Sequence, residues 1–344
     1  MIYDIIIVGN GLAGQTFLFK LINHLKLDVN KRQNLSIAQI SSQEVTPSCS
    51  LRSTATVSLN GIDEGVSHLG NELRDSFFLF KDFVKNHRPD GVEEVRQMIT
   101  FSHQLEKEKL IRRYKKLNSI NHPLFPTERV GIELDSYLID PHLYGNWFNQ
   151  KLALENIDHK KVFLRNITTD DKGLIVCELI NNEKLKAHKV VLCTGAYAKI
   201  FSLHFAVTEE LQNSQVVAGS FLEKSIDLFL PSFYLTLDGH QLIYRSLTKT
   251  LVLGSASYQG AIIGPDFKEL KKIYDLFSST LNFSIGSFHD FKAVVGLRHK
   301  AKQRRPVAQA LNNEKSVYMI NGFYKNGFTV SHLCADVVMR DLFF

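Results

Sequence analysis

The sequence predicts a mixed fold: an α/β unit around a parallel sheet, joined to an α+β unit whose sheet is mainly antiparallel. Three observations predict it. The apolar run IYDIIIV leads into the glycine turn GNGLAG and then a helix-like stretch, all within the first 27 residues. The run VVLCTG, Val190 to Gly195, is continuously apolar and ends in a second glycine turn, as a strand buried on both faces does. The last 30 residues return to strand, glycine loop and helix after a middle region that alternates apolar and polar residues.

In chain order, Ile2 to Val8 reads as a strand, Leu12 to Leu27 as a helix and Leu35 to Ile40 as a second strand, with the polar loop DVNKRQN between. Two strands joined by a helix make a βαβ unit. From Gly70 to about Leu117 the pattern is mainly helical, and Asp135 to Leu154 reads as containing a further helix with Pro141 early in it. Val162 to Leu164 and Leu174 to Leu179 are short strand candidates. Val216 to Leu253 reads as half-exposed antiparallel strands. Val317 to Ile320 is a strand, and a helix runs from Phe328 to Leu342. A chain that opens and closes on the same kind of material implies a discontinuous domain. The expected division is 1–80, 141–204 and 296–344 for the parallel-sheet unit, and 81–140 with 205–295 for the antiparallel unit.

Composition narrows the function classes. Of 344 residues, 44% are apolar and 22% charged, which describes a folded globular chain. No run approaches the ~20 apolar residues of a spanning helix, and the start lacks the basic and apolar regions of a secretory leader. Cys49, Cys177, Cys193 and Cys334 are scattered, so a reducing cytoplasm is the expected compartment. The excess of 41 basic over 35 acidic residues is modest. Much of it is local: Lys109, Arg112, Arg113 and Lys116 share one helix face, with Leu110, Tyr114 and Leu117 offset from it. That face is a solvated surface, a contact for an acidic partner such as nucleic acid, or a membrane-surface contact. The 13 histidines show no metal-binding spacing, and no metal site is expected; no nucleophile elbow or P-loop occurs either.

Gly9-Asn10-Gly11-Leu12-Ala13-Gly14 fits G-x-G-x-x-G after a strand and before a helix, the arrangement of a Rossmann-like dinucleotide site. Gly9 permits the turn, Gly11 lets the backbone approach a pyrophosphate, and Gly14 lets helix and strand pack closely. The helix N-terminus then receives the phosphates. The acidic residue that usually holds the ribose is absent. The second strand, LSIAQISSQ, offers Gln39 or Ser41 instead, with Glu44 from the following loop as a weaker substitute.

The closing segment GLRHKAKQRRP, followed by NGFYKNG and a helix, resembles that of glycine oxidases and other members of the D-amino-acid oxidase superfamily. GNGLAG, VVLCTGAYA and the PSCSLRSTATVSL loop resemble the same family. The resemblance implies FAD, bound at Arg52, Ser53 and Thr54 of that loop and at Thr194 and Gly195, besides the glycine motif. It also implies that Asn326, Gly327 and Phe328 open a helix at the flavin's N1 and C2 carbonyl, where negative charge gathers on reduction, with Lys325 adding positive charge. Arg298 matches the family arginine that grips a substrate carboxylate, work suited to a planar two-donor group. This chain has Gln303 where the family usually has an acid, and Gln309 near the position of a family glycine. Tyr244, Arg245 and Tyr258 are the polar candidates for lining a substrate cavity. FAD is expected to be non-covalent, because the Cys49 loop is not where a cysteinyl link is expected.

The implied reaction is oxidation of a C–N bond in a small amine or amino acid by hydride transfer to flavin N5. YLTLDGHQLIYRSLTKTLVLGSASYQG also resembles the flavin domain of the bacterial bifunctional enzyme that trims carboxymethylaminomethyl-uridine in tRNA, although the methyltransferase half of that enzyme is missing. That resemblance implies wobble-uridine demodification, with tRNA held by the basic helix. A flavin-binding maturation partner without its own turnover is the third alternative.

Overall fold

The computed structural model describes residues 1–27, 35–42, 48–60, 62, 67–114, 116–198, 213–258 and 264–343. Within them the chain builds two mixed sheets and six α-helices.

The first sheet grows around β1 (Ile2–Val8), whose burial leaves only its first residues near solvent. β1 pairs in parallel with β2 (Ile37–Ile40) on one side and β10 (Lys184–Leu192) on the other. β17 (Val317–Asn321) continues the parallel order beyond β10, and β7 (Ile157–Lys160) continues it beyond β2. β16 (Val307–Ala310) and the β8 (Leu164–Thr169)–β9 (Ile175–Leu179) hairpin add antiparallel strands. The carboxyl ends of the parallel strands therefore meet at one edge, where open α/β sheets bind ligands. Helix α1 (Leu12–Leu27) leaves β1 through the glycine turn and packs against the last helix, α6 (Gly327–Phe343). The two ends of the chain are thus neighbours. Helices α2 (His68–His87) and α4 (Pro141–Ala153) complete this layer, with Phe19, Phe83, Trp147 and Phe148 in edge and stacked contacts. Pro141 opens α4, and Asp140 caps it by accepting from the N–H groups of His142 and Leu143, both at 3.0 Å.

The second sheet runs β15 (Lys292–Lys300), β11 (Gln215–Ser225), β14 (Thr250–Tyr258), β13 (His240–Arg245), β12 (Phe233–Leu237), β4 (Val92–Thr100), β6 (Arg129–Ile139) and β3 (Thr56–Ser58). β5 (Asn118–Ile120) hangs on β6. One face is covered by α5 (Phe267–Thr280), whose Leu270, Ile273 and Phe277 pack on Leu242, Tyr244 and Leu253. The other face turns toward the carboxyl edge of the first sheet. The basic stretch forms α3 (Gln104–Tyr114).

Several sequence expectations change. Residues 92–100, placed in a helical region, form β4 instead. Its polar Gln97 is fully buried and hid the strand period, yet its amide is satisfied by Thr236 (2.7 Å) and Ser58 across the sheet. Residues 162–163 lie in the connection between β7 and β8 and only Leu164 is in a strand. β6 and α5 were not anticipated. β3 belongs to the second sheet although it falls within 1–80, and β15 starts before 296. Glu44, the DVNKRQN loop and the 204/205 boundary lie outside the described residues.

Candidate active site

Between the carboxyl edge of the first sheet and the open face of the second lies a cavity of about 920 Å³, toward the upper end of the range for cofactor sites. Val8, Ile40, Cys193 and Asn321, at or just past the ends of β1, β2, β10 and β17, form its floor.

The glycine turn is built for close approach. Gly9 has φ 115°, and a Cβ there would stand 2.3 Å from the Cys193 carbonyl oxygen. A Cβ on Gly14 would stand 2.1 Å from the Gly9 oxygen, so Gly14 serves helix packing and does not line the cavity. Gly9, Gly11, Leu12 and Ala13 do line it. The Leu12 N–H donates to the Ser50 hydroxyl (3.0 Å), and the first intrahelical bond runs from Gln15 N–H to Gly11 O (3.0 Å). The N–H groups of Ala13 and Gly14 precede it, at the positive end of α1.

Gln39 is not on the wall. It is 1% exposed, and its amide donates to Gly9 O and Asn10 Oδ1, both at 3.3 Å, so it braces the turn from beneath. Ser41 is the member of the pair that reaches the cavity.

Arg52, Ser53 and Thr54 follow the Cys49 turn along the wall, and Thr194 and Gly195 face them from the end of β10. The Thr194 hydroxyl is buried and has no protein partner, an orphan that a bound polar ligand would satisfy. Asn321 holds the turn by donating to Gly195 O at 2.9 Å. At the other end, Gly327 and Phe328 open α6 on the cavity wall, while Asn326 stays behind them: its carbonyl accepts from Thr329 and Val330 at 3.0 and 2.9 Å. Two helix N-termini, one from each end of the chain, therefore face a single cavity. Their shared cavity and the orphaned Thr194 hydroxyl suit a dinucleotide.

Arg298 is 5% exposed. Its side chain crosses β11 over the bare Cα of Gly219, where a Cβ would lie 2.4 Å from the guanidinium carbon. It reaches β14, donating to the Ser257 hydroxyl at 3.3 Å. A second glycine, Gly296 on β15, makes room for the Arg52 carbonyl, 2.7 Å from where its Cβ would be. Cys49 sits close enough to Arg298 for the cation to pull its thiol pKa down, but burial is the larger effect and pushes it up. Lys325 extends into the cavity; burial, then Arg298 and Arg304, lower its pKa.

Tyr244 and Tyr258 are corrections. Side chains on β13 alternate: Leu242 and Tyr244 face α5, where the Tyr244 hydroxyl accepts from Leu228 N–H at 3.2 Å. Gln241, on the opposite face, lines the cavity, and its carbonyl oxygen has no protein partner. On β14 the register slips opposite Ser220 and Phe221, an irregularity of the bulge type, which resets the alternation. Ser255 lines the cavity, Ser257 meets Arg298, and Tyr258 is absent from the lining, its hydroxyl accepting from Gly264 N–H at 2.9 Å. Arg245 does share the cavity-side face of β13, but it is buried and spends its guanidinium on the Thr54 carbonyl at 2.6 Å. Period-two counting from Arg245 would have singled out Gln241, and an isolated glycine in a strand signals close approach, which would have singled out Gly219.

On α3, Lys109 and Arg112 pair with Glu106 and Glu108 of the same helix, which neutralises much of the basic face locally. Among the described residues no helix is long and apolar enough to cross a membrane, and no cluster of three or more His, Cys, Asp or Glu is suited to a metal.

Comparison with known proteins agrees with this geometry. No curated protein sequence matches the chain. Among solved structures, glycine oxidase from Bacillus cereus superposes with a TM-score of 0.77 at 15% identity, covering 98% of this chain and 95% of that one. L-α-glycerophosphate oxidase from Mycoplasma pneumoniae, solved with FAD bound, gives 0.80 at 14% identity over 100% and 95%. L-proline dehydrogenase from P. horikoshii gives 0.78 at 12% over 99% and 93%. At such identities these similarities establish the fold. A family model described as FAD dependent oxidoreductase (DAO) matches residues 4–340. With nearly the whole chain matched, and both of its ends turned onto one cavity, the protein belongs to the DAO family of FAD-dependent oxidoreductases.

Proposed function

We propose that this enzyme oxidises the C–N bond of an amino acid or a secondary amine that carries a carboxylate, using non-covalently held FAD. The observation that carries the reading is Arg298: a buried guanidinium on the cavity wall, seated by Gly219 and held by the Ser257 hydroxyl and the Cys49 thiol, with no carboxylate paired to it among the described residues. A buried cation of this kind calls for an anion, and its fork suits a carboxylate. Solved structures of similar fold include iminodiacetate oxidase from Chelativorans sp. BNC1.

The glycine turn and the start of α1 would hold the pyrophosphate, with Ser41 near the ribose and Thr194 and Gly195 flanking the cofactor. The N–H groups opening α6 would face the pyrimidine end of the flavin. When bound, FAD would supply the two-electron acceptor for oxidation of the carbon beside the substrate nitrogen. Arg298 fixes the carboxylate and so orients that carbon, and the apolar wall of Val294, Val295 and Leu297 on β15 limits water. The burial that raises the Cys49 thiol makes it a poor nucleophile, consistent with a cofactor that is not covalently linked. A cytoplasmic location suits the four free thiols.

The test is anaerobic. Holoenzyme is mixed with a panel of amino acids, sarcosine and other secondary amines, and the visible flavin band is followed. Bleaching by a carboxylate-bearing amine, lost in Arg298→Met, is expected. A panel that never bleaches the band contradicts the reading.

A further inference from the structure

Arg298 is not the only cation at its end of the cavity. The loop after β17 places Tyr324 and Lys325 on the wall, and the Tyr324 N–H donates to the His299 carbonyl at 3.0 Å, tying this loop to β15. Three cations gather on the Tyr324 ring: Lys300, Arg304 and Lys325, at 5.7, 5.7 and 5.6 Å from its centroid. Cation–π contact accounts for part of this arrangement, but the cations also repel one another and Arg298. Among the described residues none of the four forms a salt bridge with a carboxylate. The acidic side chain on the described cavity wall is Glu223, six residues along β11 from the position that pairs with Arg298 and opposite Lys292, a displacement of about 20 Å at strand rise. Lys325 lines the cavity, and Lys300 and the exposed Arg304 flank it on the same ring, so this end carries more positive charge than one carboxylate on Arg298 would neutralise.

We propose that the substrate is a dianion: one carboxylate sits on Arg298, and a second acidic group sits against Lys325 and Arg304 beside Tyr324. This rests on the assignment of Arg298 to a carboxylate. The second group is a carboxylate or a phosphoryl-type acid; the shared chemistry is a compact anion. Burial first, and then Arg298 and Arg304, lower the Lys325 pKa, and a bound anion would oppose the part that those two cations contribute.

The experiment titrates FAD-loaded protein with propionate, succinate and 3-phosphonopropionate, reading the shift of the visible flavin spectrum. Succinate or 3-phosphonopropionate is expected to bind at least about tenfold more tightly than propionate, equivalent to ~1.4 kcal/mol, and the tighter of the two identifies the second acid. Lys325→Met and Arg304→Met should shrink that ratio to about threefold or less. Equal affinities for all three ligands in the wild type, or a ratio that survives both substitutions, overturns the inference. Propionate binding that is indifferent to Arg298→Met instead overturns the underlying carboxylate assignment, so the two failures are distinguishable. If unfractionated tRNA displaces propionate while neither dianion shows an advantage, the cluster serves a nucleic-acid polyanion and the inference is overturned.

Discussion

Gly219 has no side chain, and the guanidinium of Arg298 lies where one would be. A methyl group there would meet the guanidinium carbon at 2.4 Å and its terminal nitrogens at 2.6 and 2.7 Å, so the flexible end of Arg298 has to leave its seat. Gly219→Ala is therefore expected to weaken propionate binding to holoenzyme by at least about tenfold, with FAD affinity unchanged because the glycine turn is remote from β11. Ser257→Ala, which removes one hydrogen bond of 3.3 Å, should cost less, about 0.5–1.5 kcal/mol. The check is a titration of both variants; equal affinity for Gly219→Ala and wild type would show that Arg298 does not hold the anion. At this scale the sequence revealed residues with strong local signals. Gly9, Gly11, Thr194, Arg298 and Gly327 line the cavity. Tyr244 and Tyr258 do not, because residue type alone says nothing about which face of a strand a side chain takes, and a bulge opposite Ser220 and Phe221 moved the phase of β14.

Among the elements, α6 does two jobs: its first turn faces the cavity, and its middle is buried against α2 and α4. His332 sits there at 0% exposure, its Nε2 at 3.2 Å from the Tyr144 hydroxyl and its Nδ1 without a protein partner. Burial above all, then Lys20 and His87, hold its pKa well below the ordinary histidine value of 6.5. Because the folded pKa is the depressed one, the unfolded chain binds the extra proton. The stability is present above about pH 6.5 and is lost as pH falls below it, at up to ~1.4 kcal/mol per pH unit. Urea unfolding between pH 7 and 5 should show this slope. His332→Leu lowers absolute stability by stranding the Tyr144 hydroxyl, but its slope should be shallower by nearly one proton; His87, whose pKa is also lowered by burial, leaves a remainder. An unchanged slope would mean that His332 is protonated in the fold. Elements with a clean period were legible in sequence: β1, α1, β17 and α6. β4 was not, because Gln97 is a polar residue in a fully buried position, and burial of a satisfied amide depends on partners from β3 and β12 that lie far away in sequence.

Over the whole molecule, the organising fact is that α1 and α6, from opposite ends of the chain, pack together and open onto one cavity. The sequence led us to expect similar α/β material at both termini and so a discontinuous domain. The exact partition was less legible: β3 crosses to the second sheet and β15 begins before the closing segment, because sheet membership is set by pairing and not by composition along the chain. Such a site can bind cofactor only once both termini are in place, so binding couples to folding of the entire chain. The most direct test is a fluorescence titration of the folded apoprotein with FAD, accompanied by thermal unfolding. One FAD per chain, with quenching that saturates and a higher midpoint for the complex, is the expected result. A folded, cooperatively melting protein that neither quenches FAD nor gains stability from it would contradict the claim that the two ends of the chain build one flavin site.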